Sequence, residues 1–237
     1  MEKERKMIGV YDYTIILTYL STISGALGII ITMTGIGHPY GGTVFLMASG
    51  LFDAFDGRVA RTKKNRTEFE KNFGMQIDSL SDLICFGVLP ASIGIAQLRI
   101  NGAFRDVIRG SMNTAKTWMV IILLSIAAFY ILSALVRLAY FNATAAERAE
   151  QKKALGKEYY TGLPVTASAL IFPLTLIIHY FTIADLTFFY FWMLLIVGIL
   201  FIGNFKIPKP GLKLILVGVV IGIFEFGATV FILVTNL

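Results

Sequence analysis

Cysteine, histidine and charge are all scarce in this sequence. Cys85 is the one cysteine among 237 residues, so no intrachain disulfide and no thiolate metal cluster can form. It is read as a small buried apolar residue. The two histidines, His38 and His179, sit near expected helix ends away from the acidic residues, which suits interfacial or packing roles rather than ligation. Only 15% of the residues are charged, too few to cover a soluble domain of this length. Neither an internal repeat nor a low-complexity linker divides the chain, so residues 1–237 are expected to form one integral membrane domain.

Long apolar runs stand in place of the missing charge. Hydrophobic residues make up 56% of the chain and the mean hydropathy is +0.73. A hydrocarbon core of ~30 Å takes about 20 helical residues. Runs that meet this predict helices near 13–34, 40–61, 75–98, 116–143, 161–181, 187–204 and 212–235. The fold class is therefore an all-α polytopic membrane protein with about seven transmembrane helices, and six or eight if a run breaks or lies along the interface. The leader "MEKERKMIGVYDY" is charged, but the apolar run after it lacks a small-residue cleavage site and reads as the first transmembrane helix.

Charge orients these helices. The N-terminal arm and segments 58–73, 144–160 and 205–213 carry sixteen of the twenty-one Lys and Arg residues. Arg99, Arg105, Arg109 and Lys116 fall on the other side, and Arg137 lies within the fourth helix. The positive-inside rule places the N terminus and the basic segments at the cytoplasmic face of the cell membrane. The net charge of +6 is then accounted for by anionic lipid headgroups, with no nucleic-acid partner.

Against this background "DAFDGRVARTKKNRTEFEKNFGMQIDSLSD", residues 53–82, stands out. Helical steps of three, four and seven put Asp53, Asp56, Gly57 and Ala60 on one face, with Arg61 at its edge. Gly74, Asp78 and Asp82 form a second stripe at intervals of four, and a hairpin through 62–73 would bring the stripes face to face. Four ionised carboxylates converging in a partly dehydrated site repel unless protons or cations neutralise them. An oxygen-only ligand set favours hard ions, Mg²⁺, Mn²⁺ or Ca²⁺. Mg²⁺ commonly joins one or two carboxylates to substrate phosphates, and Arg61 could support the charge developing on a pyrophosphate. The plainer reading is an interfacial mesh in which the acids pair with Arg58, Arg61, Lys63 and Lys64. Two matching acid faces, each with a glycine, argue for function instead.

These residues resemble the signature of the CDP-alcohol phosphotransferase family, D-x2-D-G-x2-A-R, a spacer, then G-x3-D-x3-D. All eight positions are present: Asp53, Asp56, Gly57, Ala60, Arg61, Gly74, Asp78 and Asp82. The twelve-residue spacer between Arg61 and Gly74 is longer than is usual in the family. The resemblance implies a six-helix catalytic core (here about 13–204, followed by an additional helix near 212–235), a homodimer, and an active site open to the cytoplasmic leaflet. It implies one or two divalent cations and a CDP-lipid donor, CDP-diacylglycerol or CDP-archaeol. By position Asp53, Asp56 and Asp78 would be metal ligands. Asp82 would be the general base on the acceptor hydroxyl and could touch a second metal. Asp53, Gly57, Ala60, Arg61, Gly74 and Asp78 would bind the CDP-lipid, and CMP would leave.

The acceptor is read elsewhere. "DSLSDLICFGVLP", "RLAYFN" at 137–142, "YYTGLPV" at 159–165 and "NFKIP" at 204–208 resemble the phosphatidylserine synthase branch, which implies L-serine as acceptor. Where related synthases often carry Asn in the first helix, "LTYLSTISG" offers Ser21, a departure that weakens the case for a polar contact from that helix to nucleotide or acceptor. Arg137 would either hold the serine carboxylate, snorkel to the interface, or pair with the acids. Asn142 and Tyr160 would either bond the acceptor or serve as interfacial residues. Gly162 and Pro164 are expected to shape a helix entry. Glu225, deep in the last apolar run, is read as a protonated packing or dimer-contact residue.

Two alternatives remain at this stage. The same reaction with glycerol 3-phosphate or an inositol phosphate would call for further basic residues near the acids, where Arg137 is thin provision for a dianion. A divalent cation channel or carrier would place its acids nearer the bilayer midplane, on broken helices.

Overall fold

The computed structural model describes residues 8–35, 40–102, 104–108, 110, 114–155, 159–182, 187–208 and 212–235. His38, Arg109 and the basic residues before Ile8 lie outside the described residues. Each expected apolar run is helical: α1 (Ile16–Thr34), α2 (Tyr40–Thr62), α3 (Glu68–Asp82), α4 (Leu89–Ile100), α6 (Thr114–Ala143), α8 (Ser168–Thr182), α9 (Thr187–Ile202) and α10 (Leu212–Thr235). A π-helical turn, Leu83–Val88, joins α3 to α4, so that Glu68–Ile100 is one continuous rod. A short α5 (Arg105–Ile108) and a polar α7 (Ala145–Leu155) complete the helices among the described residues. By length and composition α1, the rod and α6 can cross a membrane, and shorter apolar stretches lie in α8, α9 and α10.

Two boundaries differ from the sequence expectation, each for a local reason. The third helix starts at Glu68 rather than near 75, because Thr67 and Glu70 form a reciprocal capping box. The Glu70 N–H donates to Thr67 Oγ1 (3.2 Å) and the Thr67 N–H donates to the Glu70 carboxylate (2.8 Å). The expected helix at 161–181 starts only at Ser168. Before it, Tyr159–Thr161 (β1) pairs antiparallel with Lys206–Pro208 (β2), Tyr160 opposite Ile207. Gly162 then turns the chain at φ 73°, where a Cβ would lie 2.8 Å from the Phe201 carbonyl oxygen. No other residue fits there without strain. Pro164 opens the following 3₁₀ turn, Val165–Ala167, so both residues shape the entry to α8.

The core runs along the rod. Phe86, Leu89 and Ile93 pack with Leu46 of α2, with Ala127, Tyr130 and Ala134 of α6, and with Phe172 of α8 and Phe191 of α9. Between apolar helices in lipid, close packing and interhelical hydrogen bonds supply the attraction. Gly25 of α1 lets the rod approach so closely that a Cβ there would meet Cys85 Sγ at 2.5 Å. Cys85 is buried as expected, and its thiol donates to the Ser21 carbonyl at 3.2 Å. Ser21 and Ser49 exchange bonds, each hydroxyl donating to the other's carbonyl at 3.3 and 3.1 Å. Ser21 is therefore a buried joint between α1 and α2 rather than a polar contact to a ligand. Tyr130 donates to the Phe86 carbonyl (2.6 Å) within the π turn, satisfying a backbone group where the regular helical pattern is broken.

α10 packs against α8 and α2. Glu225 on it is buried and its Oε2 has no hydrogen-bond partner among the described residues. The packing reading of Glu225 fits this burial within the chain itself. The backbone of His179 lies in α8; its side chain is outside the described residues.

Candidate active site

The capping box and the short turn at 63–67 fold α3 back beside α2, and the two acid stripes meet. One carboxylate oxygen from each of Asp53, Asp78 and Asp82 lies within 4.8 Å of the others. The Asp53 and Asp82 carboxyl groups lie near each other, as do those of Asp56 and Asp78. Asp56, nearly buried, also accepts a hydrogen bond from Thr18 Oγ1 of α1 at 3.0 Å. Carboxyl groups packed this closely are stable only with a proton or a cation shared between them. Three clustered carboxylates, with Asp56 beside Asp78 and no histidine or thiolate among them, suit a hard divalent ion, so the residues present fit the metal that the sequence pattern implies.

A cleft of ≈ 240 Å³ opens beside the acids. Asp56, Gly57, Ala60 and Arg61 of α2 line it with Gly74, Met75 and Asp78 of α3. Thr14, Ile15 and Thr18 close it from the start of α1, while Arg66 and Lys71 reach it from the spacer and the first turns of α3. Asp53 and Asp82 complete the acid cluster outside this lining. Asp82 is the last residue of α3, directly before the π turn, so the irregular segment begins where the acid stripe ends.

The signature residues are thus brought together as their spacing requires. Reasoning from the sequence missed Thr18, Arg66 and Lys71. Thr18 stands one helical step from Ser21, which was singled out, and a correct choice between them depends on how α1 is rotated against α2. The signal for Arg66 and Lys71 was the long, basic spacer itself.

Arg137 is buried, donates through Nε to the Leu163 carbonyl at 3.3 Å, and lies 5.5 Å from the Phe141 ring centroid. That burial keeps the guanidinium within the chain. Asn142 bonds Ser79 in both directions, its Nδ2 donating at 2.9 Å and its Oδ1 accepting at 3.2 Å, which ties the end of α6 to α3 beside Asp78. Tyr160 lies in β1, with its side chain outside the described residues.

A salt-bridged clamp holds the spacer to the N-terminal segment. Lys63 Nζ bridges Asp12 (2.7 Å) and Glu70 (2.8 Å). Partial burial pushes the Asp12 carboxyl up, but hydrogen bonds from Lys63 and Thr14 outweigh it and hold the group below its usual range. Hydrogen bonding to Asp12 and Glu70 raises Lys63 correspondingly.

Comparison with known proteins agrees with this geometry. The CDP-alcohol phosphatidyltransferase family model matches residues 14–203, and so includes every signature position. The chain is 34% identical over 161 residues to a CDP-diacylglycerol–serine O-phosphatidyltransferase of Saccharomyces cerevisiae, covering 65% of this chain and 50% of that protein. It is 24% identical to the archaetidylserine synthase of Methanothermobacter thermautotrophicus, covering 88% and 75% of the two chains. A CDP-diacylglycerol–serine O-phosphatidyltransferase of Methanocaldococcus jannaschii is 26% identical, with 86% and 76% covered. This chain therefore spans half the length of the yeast relative and about three quarters of the two archaeal ones. On the strength of the family match and the converging aspartates, the chain belongs to the CDP-alcohol phosphatidyltransferase family.

Proposed function

We propose that this protein transfers a phosphatidyl or archaetidyl group from a CDP-lipid to the hydroxyl of L-serine, releasing CMP. The observation that carries the reading is the meeting of Asp53, Asp78 and Asp82 within 4.8 Å beside a cleft that also holds Arg61 and two glycines. The printed names of the yeast and archaeal relatives favour serine over glycerol 3-phosphate or an inositol phosphate. A cation channel or carrier would have no use for a cleft lined by Arg61, Arg66 and Lys71 or for the family signature.

Each residue has a role in this reading. Asp53, Asp56 and Asp78, with Asp82 at the edge of a second site, would hold one or two Mg²⁺ or Mn²⁺ ions. When bound, such ions supply positive charge to the donor diphosphate and to the leaving phosphate. Thr18 fixes the orientation of Asp56 through its hydrogen bond. Gly57, Ala60 and Gly74 leave room for the nucleotide, and Arg61 lies along the phosphates. Asp82 accepts the proton of the serine hydroxyl as its oxygen attacks the phosphorus bearing the lipid. The bond from that phosphorus to the bridging oxygen breaks, and CMP departs with both bonding electrons. Arg137 holds the serine carboxylate, and Asn142 and Tyr160 would supply hydrogen bonds to the acceptor.

The reading also places the site and the N terminus at the cytoplasmic face, from the basic residues gathered at that end. A homodimer follows from the family resemblance. The test is CMP release from a CDP-lipid in the presence of serine, glycerol 3-phosphate or an inositol phosphate. Strong turnover with serine supports the assignment. Turnover with glycerol 3-phosphate and none with serine would overturn it.

A further inference from the structure

The surface over Gly74 is covered by a side chain from the long spacer. A Cβ built on Gly74 would lie 2.7 Å from Arg66 Nη2, so the guanidinium rests on the signature glycine. The same nitrogen donates to the Glu70 carbonyl at 3.1 Å, while Nε is shielded from solvent with no hydrogen-bond partner among the described residues. A guanidinium offers five donors in a planar fork suited to carboxylate or phosphate. One backbone carbonyl satisfies little of that capacity.

The position of Arg66 is itself held. Thr67, the next residue, caps α3, and Lys63 ties the turn to Asp12 and to Glu70. Lys71 lines the same cleft and is paired with Glu68 at 3.0 Å, where Glu68 is 83% exposed. Such an exposed pair contributes little and yields readily to a phosphate. The cleft is thus lined by Asp56 and Asp78 together with Arg61, Arg66 and Lys71. Its ≈ 240 Å³ is below the roughly 300 Å³ at which sites for drug-sized ligands begin, and Arg66 takes up the space over Gly74.

We propose that Arg66 recognises a phosphate of the donor nucleotide, exchanging its bond to the Glu70 carbonyl for a phosphate oxygen and vacating the surface of Gly74. The inference rests on the CDP-lipid reading above and adds a donor-binding residue from the long spacer. Arg66 as a purely structural brace for the turn is the competing account, and the two differ in how phosphate and nucleoside binding respond.

The experiment is equilibrium binding of CMP and of cytidine to the purified full chain, in Mg²⁺ and in chelator. Arg66→Gln is expected to weaken CMP by ~10-fold or more while leaving cytidine unchanged, since a hydrogen bond to a charged group is lost. Arg66→Lys restores part of the CMP affinity. In turnover, the KM for the CDP-lipid rises and the KM for serine does not. An unchanged ratio of CMP to cytidine affinity in Arg66→Gln, or equal weakening of both ligands, would overturn the proposal. Wild-type protein that binds neither ligand would overturn the donor reading and this inference with it. The binding measurement contains no acceptor alcohol, so its result is independent of whether serine is the substrate.

Discussion

Thr18 of α1 donates a hydrogen bond to Asp56 of α2 at 3.0 Å, and both residues are buried. A helix outside the acid hairpin thereby fixes the direction of one of its carboxylates. Thr18→Val keeps the shape and removes the donor. Loss of a hydrogen bond to a charged group is worth ~1.5–3 kcal/mol, so half-saturation by Mg²⁺ should shift upward by about tenfold or more. Thr18→Ser should behave as wild type. Metal titration of turnover checks this, and identical curves for Thr18→Val and wild type would remove Thr18 from the site.

Asp82 separates chemistry from donor binding. Asp82→Asn is nearly isosteric and cannot take the acceptor proton. Its kcat should fall by about 100-fold or more, in line with the usual contribution of a general base, while CMP binding persists. Full activity of this variant would refute the assignment of the base. Loss of CMP binding together with turnover would instead make Asp82 a ligand-binding residue.

Arg137 is buried against the Leu163 carbonyl and the Phe141 ring, at the end of α6 that Asn142 joins to α3. Arg137→Lys keeps the charge and loses the bidentate fork. The KM for serine should rise more than the KM for the CDP-lipid, as separate saturation curves would show. A serine KM equal to that of wild type would leave Arg137 with a packing role.

The Lys63 clamp predicts a pH window. Asp12 is held below its ordinary value, so its stabilisation is complete above about pH 4 and is lost as the pH falls through its lower folded value. Lys63 is raised, so its contribution is complete below about pH 10 and is lost as the pH rises further. Lys63→Met should lower the melting temperature by a few degrees at most inside this window. The two melting curves should converge outside it. A difference that persisted equally at pH 3 would assign the effect to packing of the side chain.

The sequence made the hairpin legible because its information is local. Asp53, Asp56, Gly57, Ala60 and Arg61 repeat on one helix, and Gly74, Asp78 and Asp82 on the next, so helical periodicity alone orders each stripe. Apolar length likewise located every long helix. What stayed hidden depended on contacts between distant segments. Ser21 and Thr18 lie one step apart on α1, and only the packing of that helix against Ser49 and Asp56 sends the first into the core and the second to the site. The β1–β2 pairing depends on residues 159–161 meeting 206–208, far apart in sequence, which no period within either segment announces. The π turn likewise goes with a bond from Tyr130 on another helix. Arg66 was visible as charge, but its place over Gly74 follows from the capping box and from the Lys63 bridge.

The most direct test of the whole account is the fate of isotope-labelled L-serine in vesicles holding the purified protein and a CDP-lipid. With Mg²⁺ or Mn²⁺ present, label should enter the lipid fraction in a one-to-one ratio with CMP released. Both signals should vanish in chelator and in Asp82→Asn. CMP release without label in the lipid, or label incorporation that persists in chelator, would contradict the account.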